Sequence, residues 1–149
     1  MSVQIRPLVP EDREAWLALW RGYLTFYEAD IPDDITALTW SRLLDPAEPM
    51  HAAVAAATPE APPIGFVHWL THRSTWARTS YAYLEDLFVD PALRGTGAGR
   101  ALIEHVYAAA QAAGCPQVYW LTHETNRTAM ALYDKVAVKT GFRHYAKGF

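Results

Sequence analysis

Hydrophobic and polar positions along this chain fall into short blocks whose period changes several times. Residues 3–8 read as a first strand, with Pro7 implying an edge position or an early end. Pro10, followed by Glu11 and Asp12, opens a helix with acids in its first turn, which suits the helix dipole. Trp16, Leu19, Trp20, Tyr23 and Tyr27 then recur at helical spacing as an aromatic stripe. The stripe is expected to be core at Trp16 and Trp20. Residues 31–34 (Ile-Pro-Asp-Asp) break the helix, a shorter helix is expected over 35–44, and Asp45-Pro46 closes it.

Residues 51–57 and 64–70 read as the two strands of a hairpin around the Pro-rich loop 58–63, and a long strand follows at 81–89. A helix over 97–113 should bury Leu102, Val106 and Ala109 or Ala110, and stop at Gly114 with Pro116 just beyond. A strand at 117–122, a helix capped by Asn126 and running to about Lys139, and a last strand at 142–146 complete the chain. The predicted order is β-α-α-β-β-β-α-β-α-β. It implies a mixed, mostly antiparallel sheet with a parallel, right-handed βαβ crossover and helices on both faces. With no internal repeat or long linker, the 149 residues read as one domain.

Composition narrows the class. Hydrophobic residues make up 51% of the chain, which argues for a packed core rather than disorder. No apolar run approaches a membrane span, so a soluble, cytoplasmic protein is expected. Cys115 is the only cysteine, which excludes a disulfide within the chain and suits a reducing compartment. Its place just before a strand predicts a buried structural thiol. A net charge of −3 offers nucleic acid no broad attraction. The charge is unevenly spread: nine acids face four arginines in residues 1–50, whereas the remainder is mildly basic. Ordinary solvated surface accounts for this, and so does an anionic cofactor held by the C-terminal half with a cationic substrate drawn to the N-terminal half. His68 and His72, four apart on a strand, lack a partner spacing for a metal site.

The chemistry concentrates in residues 83–100, Tyr-Leu-Glu-Asp-Leu-Phe-Val-Asp-Pro-Ala-Leu-Arg-Gly-Thr-Gly-Ala-Gly-Arg. A strand runs into a glycine-rich turn and the turn into a helix, whose first amides have no internal acceptor and form a pocket for a phosphate-bearing anion. The dinucleotide fingerprint does not fit, because its first glycine should follow the strand almost directly. The P-loop does not fit either, since Gly-Arg stands where Gly-Lys-Ser/Thr is required. What remains is Arg94-x-x-Gly97-x-Gly99 preceded by Val89-Asp90-Pro91, and farther on Asn126, seven residues before Tyr133, with Gly141-Phe142 after it.

In these two motifs the chain resembles the GCN5-related N-acetyltransferase (GNAT) superfamily, and its Tyr83-to-Val89 segment looks like the spermidine/spermine-type diamine and polyamine acetyltransferases. The resemblance implies the acyl-CoA N-acyltransferase fold and acetyl-CoA as co-substrate, with no metal. Leu87, Phe88 and Val89 would present backbone groups to the pantetheine arm, and a bulge near them would splay the strand from its neighbour at 117–122. Amides of Gly95, Thr96, Gly97, Ala98, Gly99 and Arg100 would hold the pyrophosphate, Arg94 would start the turn, and Asn126 would reach the cofactor from the other side. A backbone N–H near Val89 would stabilise the oxyanion.

Amine attack on a thioester needs a base, and Glu85, on the strand leading to the thioester, is either that base or a buried, paired carboxylate. Alternation puts Glu85 on one face with Tyr83 and Leu87, and Asp86 on the other. Tyr133 is either plain core or the acid that protonates the leaving thiolate. Tyr27 and Glu28, at the end of the aromatic helix, are the expected substrate contacts. The implied activity is acetyl transfer to a small primary amine; alternatives are a protein lysine or N-terminal acetyltransferase, or a non-catalytic CoA-binding sensor. The family reaches Gly-Phe about four residues after its tyrosine, whereas this chain takes eight, so the last helix is expected to be one turn longer. The chain then has room for one terminal strand, and the open sheet edge predicts a homodimer.

Overall fold

The computed structural model describes residues 2–149. The chain divides into two compact units, one ending at Tyr119 and the other spanning Trp120–Phe149.

The first unit is built on five strands in the order β1-β2-β3-β4-β5: β1 (Gln4–Pro7), β2 (Met50–Ala56), β3 (Pro63–Arg73), β4 (Ser80–Val89) and β5 (Val118–Tyr119). The first four pair antiparallel. β5 returns parallel to β4 after the crossover helix. Pro7 falls at the end of an edge strand, where its missing N–H costs no ladder bond. Helices α1 (Arg13–Phe26) and α2 (Asp33–Leu43) connect β1 to β2, and α3 (Ala98–Ala112) connects β4 to β5.

Side-chain alternation along β3 places α1 and α3 on opposite faces of the sheet. His68 points to α1, where Trp16 meets it, and its neighbour Trp69 points to α3, where its ring lies edge-on to His105. The α1 side holds the core of Trp16, Leu19, Trp20, Leu43, Val54, Phe66 and Phe88. Trp16 stacks on Trp20 at 5.5 Å and meets Trp40 of α2 at 5.1 Å. On the α3 side Ala98, Leu102, Ile103, Val106 and Ala110 are buried at positions three and four apart, the stripe a core-facing helix requires. Gly114, with φ of +80°, ends α3, and the Cys115 and Gly114 amides close onto Ala110 and Gln111 carbonyls. Cys115 itself is only partly buried, so the expectation of a fully buried thiol does not hold.

A buried ion pair anchors β1 to the start of α1. Both terminal nitrogens of Arg6 donate to Asp12, at 2.8 and 2.9 Å, and the Val9 amide donates to the same carboxylate. Asp12 is 5% exposed, and its role is thus more specific than a dipole contact.

The second unit carries α4 (Arg127–Val136), with Asn126 at its N-cap position. Two expectations fail here. The helix stops at Val136, so the extra residues before Gly141 lengthen a non-helical segment instead of the helix. Ala137 is already extended at φ −152°, a conformation that suits the β-branched run Val136-Ala-Val. No strand forms over 142–146; among the described residues that stretch pairs with nothing in a sheet, and Phe142, Tyr145 and Phe149 are exposed.

Candidate active site

The site begins with an irregularity in β4. His68 pairs with Asp86 and Trp69 pairs with Leu84, which leaves Glu85 as the extra residue of a β-bulge. The bulge was expected nearer Leu87–Val89; it lies two residues earlier. One inserted residue shifts the alternation, so Glu85 and Asp86 both line a single cavity of about 320 Å³. The expectation that Asp86 would face the other side of the sheet is therefore wrong. The bulge reversed it.

The rest of the cavity wall is mostly apolar and aromatic, with Thr39 and His68 as further polar liners. Trp20, Tyr23, Leu24 and Tyr27 come from α1, Leu43 from α2, Leu70 from β3, with Ile31 and Met50 beside them. No lysine or arginine lines it among the described residues. Tyr27 is a liner, whereas Glu28 follows it at φ +52°, exposed, and is not. Trp16 is core as expected, but Trp20 is both core and cavity wall.

A chain of hydrogen bonds holds Asp86 in place. Tyr23 O–H donates to Oδ1 at 2.7 Å. His68 Nδ1 lies 2.9 Å from Oδ2, and Trp16 Nε1–H donates to His68 Nε2 at 3.0 Å. An indole N–H is a donor only, so Nε2 is the acceptor and the ring proton sits on Nδ1, donated to Asp86. Trp16 and His68 are 1% and 2% exposed. Sequence spacing marks Tyr23 as part of the aromatic stripe and pairs His68 with His72, but joins neither to Asp86; a histidine and an aspartate 18 residues apart become neighbours only through β3–β4 register.

Electrostatics follow from this arrangement. Partial burial, and then the Asp86 charge, raise the Glu85 carboxyl above its ordinary value, although Glu85 stays open to solvent at the lip. Burial, then Asp86, also raises the Tyr23 phenol. Tyr83 is pushed up to about 12 by burial and by Glu85 and Asp86. Both tyrosines thus stay protonated donors at neutral pH.

Beyond Tyr83 the strands part. β5 pairs with β4 only at Ala82 and Tyr83, so the β4 edge from Leu84 to Val89 has no strand partner on that side among the described residues. The glycine turn follows directly. A 3-10 turn over Pro91–Leu93 is capped by Asp90, and Arg94 donates to the Val89 carbonyl while lying over the Phe26 and Phe88 rings. Gly95 and Gly97 have φ of +86° and +83°, where L side chains are strained, and a Cβ on either would meet open space. Ala98, Gly99 and Arg100 form the first turn of α3, whose amides have no intrahelical acceptor. These features suit a bound diphosphate: an empty cradle, uncommitted N–H donors and the positive end of a 15-residue helix. Arg100 Nε donates to Glu104 at 2.9 Å, and its backbone amide belongs to the first turn of α3.

In the second unit, Asn126 Nδ2 donates to Thr122 Oγ1 at 3.3 Å. The partly buried Tyr133 meets Trp120 edge-on, with ring centroids 5.4 Å apart. No cluster of three or more possible metal ligands occurs among the described residues.

Comparison with known proteins agrees with this geometry. The chain is 38% identical over 138 residues to the D-amino-acid N-acetyltransferase HPA3 of Saccharomyces cerevisiae, covering 93% of this chain and 86% of that one. It is 29% identical over 143 residues to the peptidyl-lysine N-acetyltransferase YjaB of Escherichia coli, covering 93% and 84%. Among solved structures, AAC(6')-Iy in complex with the bisubstrate analogue CoA-S-monomethyl-acetylneamine superposes with a TM-score of 0.83 at 18% identity, covering 100% and 99%. The likeness reaches the superfamily without singling out its spermidine/spermine branch. Residues 13–137 match the acetyltransferase (GNAT) family, so the chain belongs to that family and is an acetyl-CoA-dependent N-acetyltransferase.

Proposed function

We propose that the protein transfers acetyl to the nitrogen of a small primary amine that enters the cavity between α1 and β4, a diamine or an amine with an apolar body. One observation carries this: two adjacent carboxylates, Glu85 and Asp86, face a largely apolar cavity with no lysine or arginine liner among the described residues. Such a wall attracts an ammonium and offers nothing to a carboxylate.

Acetyl-CoA supplies the activated thioester. The amides of Gly95 to Arg100 hold its pyrophosphate, the free edge at Leu87, Phe88 and Val89 receives the pantetheine arm as an added strand, and Asn126 contributes a further contact. Support for the pyrophosphate assignment comes from the open Cβ positions and positive φ at Gly95 and Gly97.

An alkylammonium titrates near ~10.4 and must lose a proton before it attacks. Glu85 takes that proton, directly or through water; its raised basicity suits the task. Asp86, already accepting from Tyr23 and His68, holds the ammonium beside it. Tyr27 contacts the body of the acceptor, whereas Glu28, outside the cavity wall, does not. Tyr133 donates the proton that the leaving thiolate needs, a role supported by the Asn126–Tyr133 spacing.

A second reading has an amino acid as acceptor, favoured by the similarity to the D-amino-acid N-acetyltransferase. A panel of diamines, arylalkylamines, D- and L-amino acids and a lysine peptide, each with acetyl-CoA and thiol release as the readout, separates the readings. Fastest turnover of amines lacking a carboxylate supports the first; preference for D-amino acids overturns it in favour of the second. We further propose a homodimer that covers the exposed Phe142, Tyr145 and Phe149, which sedimentation tests directly.

A further inference from the structure

A histidine buried to 2% exposure in a strand beside an active-site cavity invites an explanation beyond packing. Filling that position requires only an apolar side chain of similar volume. Here every polar atom of the ring is instead committed, Nε2 to an indole N–H and Nδ1 to a carboxylate. The carboxylate takes a second donor, Tyr23, on its other oxygen. Each oxygen of Asp86 has one further lone pair, and Asp86 lines the cavity.

We propose that His68 is a positioning residue for acceptor binding: Trp16 locks it as the Nδ1–H tautomer, and that N–H orients Asp86 so that its remaining lone pairs meet an incoming ammonium. This rests on reading the cavity as the acceptor pocket. The lock matters because an unlocked imidazole has two other options, and both damage the site. The Nε2–H tautomer turns a lone pair toward Asp86 and repels it. A doubly protonated ring neutralises Asp86 and cancels its attraction for a cation. Trp16 blocks both, since Nε2 already accepts a donor that cannot reverse its role. The titratable groups that line the cavity with Asp86 are Tyr23 and Tyr27 from α1, His68 from β3 and Glu85 from β4, and Tyr83 of β4 also feels its charge; α2 and β2 contribute Thr39, Leu43 and Met50 and no charge.

The test has a spectroscopic and a kinetic arm. In the wild-type protein, imidazole 15N shifts at neutral pH should show His68 protonated on Nδ1 and unprotonated on Nε2. An Nε2–H tautomer overturns the proposal whatever the acceptor is. For kinetics, the amine of the panel with the highest turnover serves as probe. Asn places its amide N–H where Nδ1–H lies, so His68→Asn should keep KM within about threefold of wild type. His68→Leu should raise KM for the amine about tenfold, with cofactor affinity unchanged. Equal KM in the two variants, both folded by circular dichroism, overturns the proposal. Trp16→Phe should let His68 populate the Nε2–H tautomer in the same 15N spectra and raise KM for the amine; an unchanged Nδ1–H tautomer marks Trp16 as packing only and also overturns the proposal. If no amine in the panel is turned over by the wild type, the pocket reading fails first, and the NMR result still decides the tautomer lock.

Discussion

Glu85 and Asp86 are consecutive in β4, yet both side chains line the same cavity, because Glu85 is the unpaired residue of the bulge opposite His68 and Trp69. In a regular strand they would lie on opposite faces, one toward α1 and one toward α3. The bulge thus makes a carboxylate pair out of chain neighbours, with one member pinned by Tyr23 and His68 and the other open to solvent.

That division of labour predicts how the pair responds to substitution and pH. Glu85→Gln should lower kcat about 10²-fold or more while cofactor affinity stays within twofold. Burial and Asp86 both raise the Glu85 carboxyl, so its base form appears at higher pH than for a free glutamate. The acid limb of kcat/KM should therefore lie above the ~4.3 reference. Asp86→Asn removes the neighbouring charge but not the burial, so the limb should shift to lower pH. An upward shift, or none, would separate Glu85 from the limb.

Tyr133→Phe should reduce kcat with little change in cofactor Kd. A leaving thiol with a pKa near ~8.5 needs modest help, so a loss of about 10²-fold, at the low end for general acids, is expected. Unchanged turnover would assign Tyr133 to packing against Trp120.

Gly97→Val should abolish coenzyme A binding in calorimetry. Its φ of +83° adds strain of about 1–3 kcal/mol, and its Cβ would project into the space assigned to the pyrophosphate. The protein should still fold, with a lower melting temperature. Wild-type affinity in a folded variant would remove the glycine turn from the cofactor site.

Asp12 governs stability at low pH. Burial alone would raise its carboxyl, but the Arg6 hydrogen bonds, the Val9 amide and the Arg6 charge outweigh burial and hold it below the ordinary value. The sign is then fixed: this stabilisation is complete above the unfolded value of ~3.9 and is lost as pH falls through the lower folded value. Asp12→Asn should cost about 3 kcal/mol in urea unfolding near pH 7, because it strands the Arg6 guanidinium, and should flatten the dependence on pH below 4. A variant as stable as wild type at neutral pH would show the pair to be dispensable.

Sequence periodicity was sufficient for nearly all of the first unit. The alternation in β2, β3 and β4, the aromatic stripe of α1 and the three-and-four spacing of α3 are local consequences of burying one face, so they can be read without a structure. The glycine turn is legible for a related reason: only glycine tolerates the positive φ of Gly95 and Gly97, and the residue type records the backbone. The strand expected at 142–146 was misread because pairing needs a partner edge, which local propensity does not contain. Likewise, eight residues after Tyr133 said how long the segment is but not whether it is helical.

Glu85, the carboxylate proposed as base, could be singled out from the chain's chemistry and spacing, whereas the orientation of its neighbour Asp86 could not. A bulge is a property of two strands in register, and it decides which way Asp86 points. Tyr23 and His68 meet Asp86 from 63 and 18 residues away in sequence, and Trp16 reaches it only through His68. Residue types and their periods determined most elements of the first unit, the glycine turn and the resemblance to the family. Only long-range packing, the β3–β4 register together with the docking of α1, decided which side chains share the cavity and which nitrogen of His68 carries the proton.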